Sequence, residues 1–95
     1  MRLYEVIWKY QFIEKIATKH GVTVAEVEEL LFGTPHIRKI EKGRVRGEDI
    51  YLAYGRSDSG RYLVVFFIYK HSKAALPLSA RDMSKPERKY YDQQK

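Results

Sequence analysis

The chain has no cysteine in 95 residues. That absence removes disulfide frameworks, thiolate zinc sites, cysteine nucleophiles and iron–sulfur clusters together, and it suits a reducing compartment. Long hydrophobic runs are missing too. The longest, Tyr62 to Tyr69 (YLVVFFIY), falls far short of the roughly 18 residues that a membrane helix needs. The first ten residues carry Glu5 and Lys9 and lack both an apolar core and a small-residue cleavage site, so no secretory signal is expected and a cytoplasmic location is. The three histidines, His20, His36 and His71, are scattered with no ligand spacing, so no metal and no cofactor is expected.

What is present is positive charge. Lys and Arg number 18 against 12 Asp and Glu, a net charge of +6. The excess is uneven. Residues 23–35 hold only the acids Glu26, Glu28 and Glu29, whereas residues 36–47 hold Arg38, Lys39, Lys42, Arg44 and Arg46 against Glu41 alone. A second basic block, Lys70, Lys73, Arg81, Lys85, Arg88, Lys89 and Lys95, follows the apolar run. Two basic blocks converging on one face would form the footprint of a polyanion-binding surface; spread apart, they would only solubilise.

The local patterns define one domain over residues 1–95. Tyr4 to Trp8 alternates as a strand, with Tyr4, Val6 and Trp8 on one face. Phe12, Ile13, Ile16 and Ala17 recur at helical spacing up to Gly21, a natural left-handed stop. Thr23 with Glu26 forms a capping box that opens a second helix, Val24 to Phe32, whose three glutamates are expected to face outward. Strands are expected over His36 to Glu41, Arg44 to Arg56, Arg61 to Lys70 and Lys73 to Ala80, in an antiparallel meander whose continuous apolar member, Arg61 to Lys70, is central. Pro77 cannot donate a ladder hydrogen bond, which predicts an interruption, a bulge or an edge there. Ser84 with Glu87 is a second capping box, opening a short polar helix to about Gln94. The class is α+β: a strand and two N-terminal helices, an antiparallel sheet of about four strands, and a short C-terminal helix.

Three segments, KHGVTVAEVEELLFG, YLAYGRSDSGRYLVVFF and SARDMSKPERKYY, occur in this order. Together they resemble the BrnT family of bacterial toxins over about Trp8 to Asp92. The resemblance implies a RelE-like ribonuclease fold, metal-independent RNA cleavage that arrests translation, and neutralisation by a BrnA antitoxin, in a possible heterotetramer. Two departures stand out: Lys9 follows Trp8 where the family motif carries an acid, and Pro77 sits in a strand that is normally continuous.

Metal-free RNA cleavage by the ribose 2′-OH needs a proton acceptor, cations for the phosphorane and a donor for the leaving 5′-oxygen. Arg56 and Arg81 end strands and Arg88 follows on the last helix, so all three can meet at one end of the sheet and offer bidentate donors to phosphate. Tyr91 matches the tyrosine of the family motif. The candidate catalytic set is therefore Arg56, Arg81, Arg88 and Tyr91, with Arg44, Arg46, Lys85 and Lys89 as candidate RNA-binding residues. His20 lies at a helix end, where termination alone explains it, and Glu87 is explained by its capping box. The alternative is a noncatalytic basic module that binds RNA or an antitoxin.

Overall fold

The computed structural model describes residues 2–41, 48–70 and 72–94. The elements are β1 (Glu5–Val6), α1 (Tyr10–His20), α2 (Val24–Phe32), β2 (His36–Glu41), β3 (Ile50–Arg56), β4 (Tyr62–Lys70), β5 (Ala74–Asp82) and α3 (Lys85–Gln93). They build a five-stranded sheet in the order β1-β5-β4-β3-β2. β2 through β5 form the expected antiparallel meander, and β4 is the central strand. The fifth strand comes from the N-terminus: β1 pairs parallel to β5, Glu5 opposite Ala74 and Val6 opposite Ala75, so the sheet is mixed. The strand signal in Tyr4 to Trp8 thus yields only two paired residues. Tyr4 is exposed, while Val6 and Trp8 pack against the core.

Alternation along the strands assigns the two faces. Leu63, Val65 and Phe67 of β4, with Ala53, Ala75 and Ala80, point to one side and meet Ile16 of α1 and Val27, Leu30 and Leu31 of α2. Each large side chain fully buried there contributes about 1.5–3 kcal/mol. Residues of opposite parity, Leu52, Tyr54 and Val64, point to the other side and meet Met83, Tyr90 and Tyr91. The eight-residue apolar run of β4 is explained by this two-sided cover. Small residues let the layers approach closely: a Cβ on Gly55 would lie 2.9 Å from Leu30 Cγ of α2.

Chain breaks fall where local chemistry puts them. Gly21 closes α1 in the left-handed conformation (φ 62°), with its N–H on the Ala17 carbonyl. Both capping boxes form, at Thr23 with Glu26 and at Ser84 with Glu87. Pro77 takes the bulge among its three options. Phe67 pairs with Pro77 and Phe66 with Ser79, which leaves Leu78 without a partner in the ladder.

The acidic helix face is not simply solvated. The Trp8 indole donates to Glu28 at 3.0 Å, and the Asp58 amide donates to Glu29 at 3.0 Å. Glu26 meets Arg61 at 3.2 Å. Arg61 is the structural hub. Its guanidinium donates to the carbonyls of His20 (2.9 Å) and Gly21 (2.8 Å) and to both Asp82 oxygens (2.7 and 3.1 Å). Those bonds tie the end of α1 and the start of α2 to the ends of β4 and β5, and they hold the Asp82 carboxyl below its ordinary range.

Replacing Arg61 by Ala strands two helix-end carbonyls and two carboxylates, with an expected cost of about 2–4 kcal/mol. Thermal melts should show a drop of more than about 10 °C for a domain of this size. Arg61→Lys, which reaches fewer of these acceptors, should fall between. A wild-type melting point in Arg61→Ala would contradict the hub assignment.

Candidate active site

The side of the sheet opposite α1 and α2 is only partly covered. Among the described residues α3 caps one end through Tyr90 and Tyr91, and no other helix joins the cluster on that face. The open part is a groove of about 620 Å³ with an apolar floor of Ile40, Ile50, Phe66 and Leu78. Lys15, Lys19 and His20 of α1 line it together with Ser79 and Arg81 of β5. Lys15 and Lys19 share a helix face by their i, i+4 spacing, and Lys15 reaches the Leu78 carbonyl at 3.5 Å. No carboxylate lines the groove among the described residues.

Arg81 stands where the groove meets the first turn of α3. Its Nη1 and Nη2 donate to the two Glu87 oxygens at 2.7 and 2.9 Å, and Nη1 also donates to the Asp82 carbonyl. A guanidinium carries five N–H groups. Among the described residues, Nε and one Nη2 hydrogen of Arg81 make no hydrogen bond, and together they form a second fork of the kind that grips phosphate. The guanidinium lies 5.6 Å from the Phe66 ring centre. The pairing pulls the Glu87 carboxyl down to about 2, chiefly through the Arg81 hydrogen bonds and secondarily through Ser84.

Beyond Arg81, three candidates gather on one ring. Arg56 stacks 4.6 Å and Arg88 3.8 Å from the centre of Tyr62, and Tyr91 meets the same ring edge-on at 6.0 Å. Arg56 Nε donates to the Gly60 carbonyl, and neither arginine is ion-paired to a described carboxylate. Arg56, Arg88 and Tyr91 thus meet on Tyr62 at one end of the sheet, while Arg81 lines the groove and is bound to Glu87. Lys85 and Lys89 are exposed on α3. Arg44 and Arg46 lie outside the described residues, as does His71.

His20 ends α1 just before the left-handed Gly21 stop, as the sequence reading has it; Arg61 takes its carbonyl, and the histidine ring lines the groove. Lys15, Lys19 and Tyr62 went unremarked. The first two had a usable signal in their i, i+4 spacing. Tyr62 had none, because an aromatic beginning a strand is ordinary packing. Among the described residues no three His, Asp or Glu side chains gather as metal ligands, and no helix is long and apolar enough to cross a membrane.

In general class this is a small α+β domain with an open sheet face lined by cations. Comparison narrows the class: residues 8–87 match the family model described as the ribonuclease toxin, BrnT, of type II toxin-antitoxin systems, and the chain belongs to that family. The crystal structure of the Brucella abortus ribonuclease toxin, BrnT, superposes with a TM-score of 0.61 at 20% identity, over 85% of this chain and 97% of that one. At that identity the match shows the shared fold. No curated protein matches the chain. Membership brings an antitoxin partner and an RNA substrate as the family's setting.

Glu87→Gln keeps the capping geometry and removes the charge. Because the folded carboxyl titrates near 2, below its ordinary value of 4.5, the pair's stabilisation is complete above about pH 5 and is lost as pH falls toward 2. Discounted for the part-exposed arginine, it amounts to about 1–2 kcal/mol. The melting-point gap between wild type and Glu87→Gln should be full at pH 7 and close by pH 2; a gap independent of pH would contradict the pairing.

Proposed function

We propose that this chain is an active endoribonuclease that cleaves single-stranded RNA without a metal and is neutralised by a BrnA-like antitoxin, in a heterotetramer. The observation that carries the reading is the position of Arg81. It lines the groove that His20 also lines, and its ion pair with Glu87 ties it to the turn of α3 that carries Arg88.

In this reading the scissile phosphate sits on the Nε fork of Arg81. His20 takes the proton of the 2′-OH as that oxygen attacks phosphorus. The bond from phosphorus to the 5′-oxygen breaks, giving a 2′,3′-cyclic phosphate, and a protonated group, for which Tyr91 is the candidate, returns a proton to the leaving 5′-oxygen. Arg81 stabilises the phosphorane charge, and Arg56 and Arg88 hold the neighbouring backbone. Lys85 and Lys89 extend the cationic path as long-range attraction, and Arg44 and Arg46 are further RNA-binding cations in this reading. An acidic antitoxin surface covering the open face would quench these cations and exclude RNA.

The noncatalytic alternative draws on one specific observation: the principal fork of Arg81 is already filled by Glu87. Cleavage assays decide between the two. Purified wild type should cut total RNA in the presence of chelator. Arg81→Ala should be slower by about 10²- to 10³-fold, as for loss of one transition-state donor. His20→Ala should lose about 10²- to 10⁴-fold, as for loss of a general base. Melts of each variant separate a lost site from a lost fold. A folded wild type that cuts no RNA overturns the enzymatic reading, and equal rates in folded Arg81→Ala and His20→Ala overturn the site.

A further inference from the structure

The groove contains more than a backbone-binding site requires. Phosphates need cations, and Lys15, Lys19 and Arg81 supply them from the walls. The floor is nevertheless apolar: Phe66, Ile50, Ile40 and Leu78 form a continuous surface on the open side of the sheet, and Ile40 is 41% exposed. A sheet face left bare of a covering helix normally carries polar residues outward. Within the groove these positions break that rule.

Leu78 owes its place to Pro77. Because proline has no N–H to give, the β4–β5 ladder skips a residue, with Phe67 opposite Pro77 and Phe66 opposite Ser79. The skipped residue, Leu78, lines the groove, and its carbonyl meets the Lys15 ammonium. Bulges re-aim side chains in this way beside functional sites. The proline that departs from the family pattern therefore has a consequence in this chain: it completes an apolar floor next to Arg81.

We propose that the Leu78 bulge and Phe66 form a nucleobase subsite. One unstacked base of single-stranded RNA packs on the Phe66–Leu78 floor beside the Arg81 guanidinium, while flanking phosphates lie along Lys15 and Lys19. This rests on the RNA reading above. The occupant is flat and apolar with anionic attachments on both sides, which is the chemistry of a nucleotide, and aromatic rings and guanidinium planes are the surfaces on which proteins stack unpaired bases. A duplex keeps its bases stacked and inaccessible to such a floor, so the subsite selects single strands.

The test measures binding of the intact protein to labelled decamers of 2′-O-methyl RNA, which have no free 2′-OH and cannot be cut. Three probes are compared: the single strand, the same sequence as a duplex, and a decamer of abasic residues. The single strand should bind roughly fivefold to a hundredfold tighter than the abasic chain, the range for one stacked base. Phe66→Leu and Leu78→Ser, each checked by melting, should lose several-fold on the single strand and nothing on the abasic chain. Lys15→Ala and Lys19→Ala should weaken both and lower the salt dependence by about 0.7 each. Equal affinity of wild type for single-stranded and abasic probes, with RNA cleavage intact, overturns the subsite and leaves the ribonuclease reading standing. Failure to bind any probe, with no cleavage, overturns both. A poly-glutamate decamer binding as tightly as the single strand overturns the subsite in favour of an acidic protein segment.

Discussion

One arginine holds the architecture in register. Arg61 begins the turn into β4, and its guanidinium bonds the last two carbonyls around the α1 stop, the capping glutamate of α2 and the terminal aspartate of β5. Two of the elements that line the open face, α1 and β5, are anchored to that group. α1 places Lys15, Lys19 and His20 along the groove only because its C-terminus is fixed there, and β5 delivers Arg81 one residue before the Asp82 that Arg61 clamps. The arrangement satisfies helix-end carbonyls that would otherwise lack partners. A charge network thus does in this chain what a larger hydrophobic core does in bigger domains.

Much of this fold was legible because it follows from local rules. Both capping boxes, the glycine stop at Gly21 and the uninterrupted β4 run each have a short-range cause, and each element forms close to where its pattern lies. The parallel β1–β5 pairing was not legible. It joins Glu5 to Ala74 across nearly the whole chain, and two paired residues leave too little periodicity to announce a partner. The convergence of Arg56 and Arg88 could be anticipated from strand ends, but their shared support on Tyr62 could not, since a cation–π contact leaves no spacing in sequence. The stop after His20 was legible from Gly21, but not that the His20 carbonyl is held by a side chain 41 residues away.

The cations of the open face differ in how they are held, and the difference sorts their roles. Arg81 is braced at one fork by Glu87, so it loses little side-chain freedom on meeting a phosphate at the other. Arg56 and Arg88 rest on an aromatic ring that positions them without neutralising their charge. Lys85 and Lys89 are exposed and suit attraction at a distance rather than grip. Glu26, Glu28, Glu29, Asp82 and Glu87, by contrast, are engaged in holding the fold.

The account stands on RNA occupying this open face, and amide chemical-shift mapping with a non-cleavable single-stranded RNA tests that most directly. The shifts should cluster at Lys15 to His20, at Phe66, from Leu78 to Asp82, and in the first turns of α3. Shifts confined to α2 and β1, with the groove residues unmoved, would contradict it.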